Sequence, residues 1–484
     1  MSLRVGLITK GTRGDVQPLL ALAQELRLRG HQVAICCPKC VVSLVEERGI
    51  AAFGMSFDPK SAIQSSEMQE AIASGDGGLC IKAFNTSQEH QILASGVNPA
   101  QEVYDFVRTF RADALVGHPS FVPLIAVAEA FSLPLVNALF MPFLPSAVAY
   151  PAFFARNQLE KLGLQGKPLE AHKQLWDNYI TPEEFAQLNH LRTGWGLKAH
   201  KDVAETQAVY QCAHEANCWS PHLLPEPSDL QVEFPFARQT GYLFADSPEY
   251  QPSPELLAFL AHPSKPIYVG FGSLCVGDPR EATEKVLRAL KASNLRCIMA
   301  GGWVGLSPSQ LDAEKTIDFH LLKDFASTNV FSLEACPHDW LLPRCCGAVH
   351  HGGAGTVAAA ARAGIPQAIL AVAWDQPWWA EYLEDRLAVG INLRQMISKV
   401  DERLLATAFQ RLAEEDQLTT AAADLGKLIR EERPGHESLA DFVLESVKLP
   451  HPWPTKEQPT PLNLLPSLWD RASQENLRRA LGGA

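Results

Sequence analysis

Twice along this chain a short apolar run stops at a glycine-bearing loop, and the loop opens directly into a helical stretch. This pattern limits the fold more than any other feature. A strand buried on both faces reads as a continuous apolar run, and its parallel neighbour is reached through a helix. The first instance is Val5 to Ile8, then Gly11-Thr12-Arg13-Gly14-Asp15, then a helix with Pro18 in its first turn. Leu19, Leu20, Leu22, Ala23, Leu26 and Leu28 form its apolar face, Gly30 stops it, and Val33 to Cys36 is the next strand. The second instance is Ala348-Val349, then His350-His351-Gly352-Gly353-Ala354-Gly355-Thr356, then a helix over Thr356 to Ala363. Gly364 closes that helix, and Ala368 to Val372 is the following strand.

The rest of the chain fits the same rhythm. Ala114-Leu115-Val116 and Leu135-Val136 read as strands flanking a helix near Leu124 to Ala130, and residues 151–214 read as helical and irregular cover over a cleft. Phe244 to Pro254 (FADSPEYQPSP) is acidic, proline-rich and poor in apolar residues, which makes it a linker. Beyond it Ile267 to Phe271 and Arg296 to Ala300 read as strands around a helix at Arg280 to Lys291. A length of 484 residues suits two or three domains. The expected architecture is α/β: two doubly wound, Rossmann-like domains over residues 1–243 and 255–449, a linker over 244–254 and a tail over 450–484.

Charge and cysteine content remove some function classes. A net charge of −12 argues against a general nucleic-acid binder, which needs clustered Lys and Arg for phosphate contacts. The eleven cysteines are odd in number and scattered, as in a protein with reduced thiols, and Cys37-x-x-Cys40 lacks a second ligand pair. The apolar start, Leu3 to Thr9, is too short for a signal-peptide core. Val122 to Phe154 is interrupted by Glu129, Asn137 and several prolines. A cytoplasmic protein without a spanning helix is expected, and contact between an apolar surface loop and a bilayer stays open.

The strand-to-helix loop at His350 to Thr356 carries the clearest chemistry. Glycines let backbone N–H groups approach an anion, the helix start adds partial positive charge, and His and Thr side chains add donors. The run lacks the Lys-Ser/Thr ending of a P-loop and the spacing of the dinucleotide fingerprint. By itself it fits a diphosphate cradle or a tight turn with two structural histidines equally well.

Three further runs resolve that choice by resemblance. Cys336-Pro337-His338-Asp339-Trp340-Leu341 precedes the loop, Trp374-Asp375-Gln376-Pro377 follows it, and Gly11-Thr12-Arg13-Gly14-Asp15-Val16-Gln17-Pro18 stands near the start. Together, over about residues 3 to 440, they resemble the nucleotide-sugar-dependent glycosyltransferases of the two-Rossmann (GT-B) type, the UDP-glycosyltransferase superfamily. Sterol 3-beta-glucosyltransferases are most similar, followed by the glycopeptide-antibiotic and macrolide enzymes. Ser220-Pro221 and Thr240-Gly241-Tyr242-Leu243-Phe244 also fit the sterol type.

The resemblance implies roles for individual residues. His350 would be the diphosphate histidine with His351 beside it, and Gly353, Ala354, Gly355 and Thr356 would add backbone and hydroxyl donors. Asp375 and Gln376 would hold the sugar hydroxyls, Ser273 would approach the phosphate, and Ala335 to His338 would lie along the uracil edge. Plant members carry a stacking tryptophan where Ala335 stands and a ribose-binding glutamate where Ala358 stands; bacterial and sterol-type members lack both. UDP is the implied nucleotide, with TDP as the alternative.

Asp15 would be the catalytic base, at the carboxyl end of the first strand where ligands of open α/β sheets bind. The bare loop equally fits a helix cap. His118, in Gly117-His118-Pro119, would assist Asp15 or be bonded to local backbone. The implied reaction is inverting hexose transfer, from UDP-glucose to a hydroxyl of a sterol or similar lipophilic molecule. The sugar nucleotide is a co-substrate; no metal or other cofactor is expected. The alternatives are an antibiotic, macrolide or aromatic aglycone as acceptor, a sugar-nucleotide epimerase, and a non-catalytic sugar-nucleotide sensor.

Overall fold

In the computed structural model the described residues are 2–74, 77–142, 180–210, 213–226, 236–245, 250–272, 277–302 and 305–449. Ser273, most of the expected cover at 151–214, part of the expected linker and the tail over 450–484 lie outside the described residues. The chain divides into two compact units. One comprises Met1–Ala62, Asn85–Asp246 and the stretch that begins at Arg433; the other comprises Ile63–Phe84 and Ser247–Glu432.

The first unit is built on a parallel sheet of β1 (Arg4–Ile8), β2 (Gln32–Pro38), β3 (Ala51–Met55), β4 (Ala114–Gly117), β5 (Leu135–Leu139), β6 (His214–Asn217) and β7 (Ala237–Gln239). Their order is β3-β2-β1-β4-β5-β6-β7, so the sequence doubles back at β1. Val5 of β1 pairs with Val33 on one side and Ala114 on the other. Both faces of the sheet are covered, which is why β1, β2, β4 and β5 are mostly apolar, with Arg4 and Gln32 at strand starts and Asn137 in β5 as polar exceptions. Val5, Leu7, Ile35 and Val116 pack with the helices Arg13–Leu28 and Gly435–Ser446. Ile8, Ala34 and Leu115 pack with the helices Pro99–Phe110 and Pro123–Phe131.

The helix Arg13–Leu28 starts earlier than expected, which puts Pro18 inside it rather than in its first turn. Leu19 to Ala23 and Leu26 are buried, whereas Leu28 is exposed.

The second unit repeats the plan with β8 (Ile267–Gly270), β9 (Cys297–Ala300), β10 (Val330–Leu333), β11 (Gly347–His350), β12 (Gln367–Ile369) and β13 (Gly390–Asn392). Their order is β10-β9-β8-β11-β12-β13. Val269, Met299, Val349 and Ala368 share a core with the helices Pro279–Ser293 and Glu402–Glu414. Tyr268, Ile298 and Ala348 pack on the other face with Leu341, Leu342 and Ala360. Two doubly wound parallel sheets are therefore present, as the alternation of apolar runs and helices led one to expect.

Two segments exchange sides relative to the expected boundaries. Ile63, Met68, Ala71 and Ile72 join the core of the second unit. Leu439, Ala440, Phe442 and Val443 of the last described helix join the core of the first. Arg29 pairs with Asp441 at 2.5 Å, and Arg238 with Glu445 at 2.8 Å, along that helix. Its first residue is Gly435 because a Cβ there would lie 2.3 Å from the Gly241 carbonyl oxygen. Among the described residues no helix is long and apolar enough to cross a membrane.

Gly435→Ala tests how firmly that helix is seated. Its Cβ forces the helix start off the Gly241–Tyr242 backbone, and overpacking of this kind costs about 1–3 kcal/mol. The urea midpoint of the N-terminal unit should fall accordingly; an unchanged midpoint would mean that the helix shifts freely.

Candidate functional site: two sheet switch points

In an open α/β sheet, ligands bind beyond the carboxyl ends of the strands where the order reverses. The second sheet reverses between β8 and β11, and β11 runs straight into the histidine–glycine loop. His350, its last residue, is fully buried. Its Nε2 is 2.9 Å from Gln367 Oε1, and its Nδ1 accepts the Gly352 N–H at 3.0 Å. The ring is thus the Nε2–H tautomer with both nitrogens engaged inside the protein. Burial, reinforced by the neighbouring His351, holds its protonation down to about 3.

His351 differs in its surroundings. Its Nδ1 is buried and has no hydrogen-bond partner. Burial and the nearby His338 push its protonation down to about 4, so the ring is neutral near pH 7. A Cβ on Gly272 would come within 3.1 Å of this ring and one on Gly353 within 2.5 Å, so the imidazole is wedged between the loops that follow β8 and β11. Gly352 has φ +90°, and a Cβ there would meet Ile369 Cγ2 at 2.8 Å. Gly353 then starts the helix Ala354–Ala363, which no side chain caps. The first-turn N–H groups at Ala354, Gly355 and Thr356 stand at its positive end.

The Asp-Gln turn abuts this loop, since a Cβ on Gly352 would be 3.2 Å from Gln376 Cβ. Gln376 Oε1 accepts the N–H groups of Val372 at 2.9 Å and Ala373 at 3.1 Å, which orients its NH2 end for another partner. Asp375 Oδ2 accepts from Trp379 Nε1 at 2.8 Å. The turn is reached through Trp374 at φ 57°, a left-handed conformation that is uncommon for a bulky residue. His338 Nε2 lies 3.1 Å from Tyr268 Oη, and its charge influences both His350 and His351. The structure therefore brings His338, His350, His351, Gly353 and Gln376 to one strand end, with Asp375 next in the chain.

The first sheet reverses between β1 and β4, and these strands are followed by Asp15 and His118. Asp15 is half-buried in the first turn of the helix Arg13–Leu28, and its Oδ2 accepts the Thr12 N–H at 2.7 Å. Burial raises its pKa, and the bonds to Thr12 oppose that rise. His118 Nδ1 lies 2.8 Å from Ser120 Oγ and accepts the Ser120 N–H at 3.1 Å, which leaves the proton on Nε2. Burial, with the charge of Lys10, pushes His118 down to about 4. Both the capping bond of Asp15 and the local backbone bond of His118 are thus present.

Lys10 was not singled out from the sequence. Its Nζ donates to Gln88 Oε1 at 3.3 Å and stands 5.9 Å from the Phe121 ring centre. Burial lowers it to about 8 against the pull of Glu184. Its position, two residues beyond β1 and before Gly11, is the signal that would have found it.

Comparison with known proteins agrees with the fold. Residues 5–150 match the glycosyltransferase family 28 N-terminal domain, and residues 309–436 match the C-terminal domain of erythromycin biosynthesis protein CIII-like proteins. The sterol 3-beta-glucosyltransferase UGT80B1 of Arabidopsis thaliana is 30% identical over 394 residues, covering 79% of this chain and 59% of that protein. The sterol 3-beta-glucosyltransferase of Aspergillus clavatus is 31% identical over 447 residues, covering 89% of this chain and 29% of that protein. The chain thus spans less than two thirds of the length of either relative.

Among solved structures, glycosyltransferase VinC in complex with dTDP aligns with a TM-score of 0.60 at 17% identity, over 92% of this chain and 100% of that one. The calicheamicin glycosyltransferase CalG4 aligns with a TM-score of 0.61 at 17% identity, over 93% of this chain and 99% of that one. The fold is of the GT-B type, with two Rossmann-like units. The chain belongs to the GT-B glycosyltransferases of the UDP-glycosyltransferase superfamily.

The histidine loop makes the second unit acid-sensitive. An unfolded histidine binds a proton near 6.5, whereas folded His350 refuses it until about 3 and His351 until about 4. Each therefore contributes stability that is present above 6.5 and lost as pH falls toward the folded value. The slope for fully buried His350 is about 1.4 kcal/mol per pH unit. Urea midpoints taken downward from pH 6.5 should decline, and His351→Asn should decline less steeply than wild type.

Proposed function

We propose that this protein is an inverting glycosyltransferase that moves a hexose, glucose from UDP-glucose, onto a hydroxyl of a sterol or similar lipophilic molecule. One observation carries the reading. The switch point of one sheet holds a carboxyl with a raised pKa, and that of the other holds a neutral histidine with an open nitrogen beside an uncapped helix start. The first is suited to taking a proton and the second to receiving an anion. The sterol acceptor is supported by the relatives named above.

In this reading Asp15 takes the proton from the acceptor hydroxyl as its oxygen attacks the anomeric carbon. A positioned base of this kind is worth on the order of a hundred- to ten-thousand-fold in rate. The leaving diphosphate gathers charge as the sugar departs. His351, the N–H groups of Ala354 and Gly355 and the hydroxyl of Thr356 stabilise it there, with His350 holding the loop in shape. Asp375 and the NH2 end of Gln376 hold the sugar hydroxyls. His118, neutral near pH 7, supports the acceptor side through its Nε2–H. Attack from the face opposite the leaving group gives a β-linked product from an α-linked donor.

The acceptor class extends the proposal to the cell. A lipophilic acceptor resides in bilayers, so peripheral contact with a membrane surface belongs to this reading. The free cysteines fit a reducing, cytoplasmic compartment. A second reading keeps the chemistry and changes the substrates: a dTDP-sugar and an antibiotic-like aglycone. The match of residues 309–436 to the erythromycin-type C-terminal domain favours it.

Nucleotide release is measured with UDP-glucose and dTDP-glucose, alone and with sterols or aromatic aglycones, and products are resolved by mass. Sterol-dependent UDP release with an added hexose is the expected result. Aglycone-dependent dTDP release would establish the second reading, and nucleotide-sugar binding without transfer would leave only a sensor. Asp15→Asn should lower kcat by about a hundredfold or more with donor affinity unchanged. His351→Ala should weaken donor binding. Full turnover in Asp15→Asn would remove Asp15 as the base.

A further inference from the structure

β6 departs from the rule that a central strand of a covered parallel sheet is apolar. It reads His214-Glu215-Ala216-Asn217, yet His214 and Glu215 are 4% exposed and Asn217 is 1% exposed. The register sets Asn137 of β5 opposite Glu215, and Asn137 Nδ2 donates to Glu215 Oε1 at 3.1 Å. Glu215 Oε2 and both the nitrogen and the oxygen of the Asn217 amide are buried without a hydrogen-bond partner. Glu215 and Asn217 alternate onto the same face of the strand. His214 takes the opposite face, with its ring centre 5.5 Å from that of Phe236 and 5.7 Å from that of Phe442.

Each unmet buried polar group costs about 1–3 kcal/mol, and native interiors contain few of them. Three such atoms on two neighbouring side chains describe a receptor for something that hydrogen-bonds. The strand places them where a ligand of this sheet would be. Asn217 is the last residue of β6, at the same end of the parallel sheet as the loops that follow β1 and β4 and carry Asp15 and His118. β6 lies three strand steps from β1, a span of about 14 Å. That is the scale of a rigid polycyclic molecule lying across the strand ends.

The donor set selects the ligand chemistry. Burial raises Glu215 to about 8, so near pH 7 its carboxyl is a neutral donor and acceptor. Asn217 adds one of each. A cation would leave the Asn217 NH2 unmet, and an anion would meet two more oxygens. A hydroxyl, which both gives and takes a hydrogen bond, satisfies the set.

We propose that Asn137, Glu215 and Asn217 form a subsite for a neutral hydroxyl at the far end of the acceptor, remote from the hydroxyl that receives the sugar. The chain is thereby tuned to doubly oxygenated lipophilic acceptors rather than to those with a single polar end. This rests on the acceptor role given to the first unit above.

The test is equilibrium binding of cholesterol and of its side-chain-hydroxylated counterpart to the full chain without donor. The wild type should bind the hydroxylated sterol about tenfold more tightly or better, the effect of one well-placed hydrogen bond at an otherwise unmet site. In Glu215→Leu and Asn217→Val the preference should shrink to within about twofold. The melting temperature of Asn217→Val should equal or exceed that of wild type, because it removes two unmet polar atoms, whereas Glu215→Leu also strips Asn137 Nδ2 of its acceptor and should melt lower than Asn217→Val.

Equal affinities in the wild type, no binding of either sterol, or a preference that survives in both variants would each overturn the subsite. The wild-type comparison decides the matter even if a variant fails to fold. Transfer to both sterols without preference would overturn the subsite and leave the transferase reading intact. A binding preference without transfer would do the reverse.

Discussion

A parallel sheet whose order reverses cannot cover its own reversal. The connection from one strand crosses one face, the connection from its neighbour crosses the other, and the strand ends between them stay open. Both units are organised by this constraint. β1 and β4 part at the first reversal, β8 and β11 at the second, and the candidate residues follow those strands closely. The apolar covers on both faces fix the strands, and the fixed strands define where the loops begin. Around the second reversal the constraint tightens to single atoms. His350 is tied to Gln367 on the next strand and to the Gly352 N–H, so the loop leaves β11 in one direction.

What was legible in the sequence follows from the same burial. β1, β2, β4, β5, β8, β9 and β11 announce themselves as apolar runs because they are covered on both faces. β6 does not: three of its four residues are polar, and an apolar-run criterion passes over it. The exchange of Ile63–Phe84 and the helix Gly435–Ser446 between units was illegible for another reason. Both segments are amphipathic, and amphipathic periodicity says that a face is buried but not against which sheet. Contacts such as Arg29 with Asp441 span more than four hundred residues and leave no local signal.

The site was legible as motif and less so as role. The glycines and the Asp-Gln pair stand out at the level of residue type. The two histidines look interchangeable there, and the side chain that faces inward separates them only in three dimensions. His350 is saturated by its own unit, whereas His351 keeps a nitrogen open. The resemblance puts weight on the first; the proposed reading gives the diphosphate contact to the second. Lys10 was missed because a lone lysine beside a glycine loop is ordinary until the Gln88 and Phe121 contacts and its lowered pKa are seen.

Desolvation links the two switch points in the proposed reaction. It disfavours charge wherever it acts, so it raises Asp15 and lowers His351 by one physical cause. A carboxylate in such a place accepts a proton readily, because protonation relieves its burial. A neutral imidazole in such a place gains affinity for a proton when an anion arrives beside it, because the new negative charge offsets the desolvation that had kept the ring neutral. The transfer supplies both changes: a proton moves toward Asp15 while negative charge accumulates on the leaving diphosphate. Each site is therefore less comfortable before the reaction than during it, which is the condition for lowering a barrier rather than merely holding a substrate.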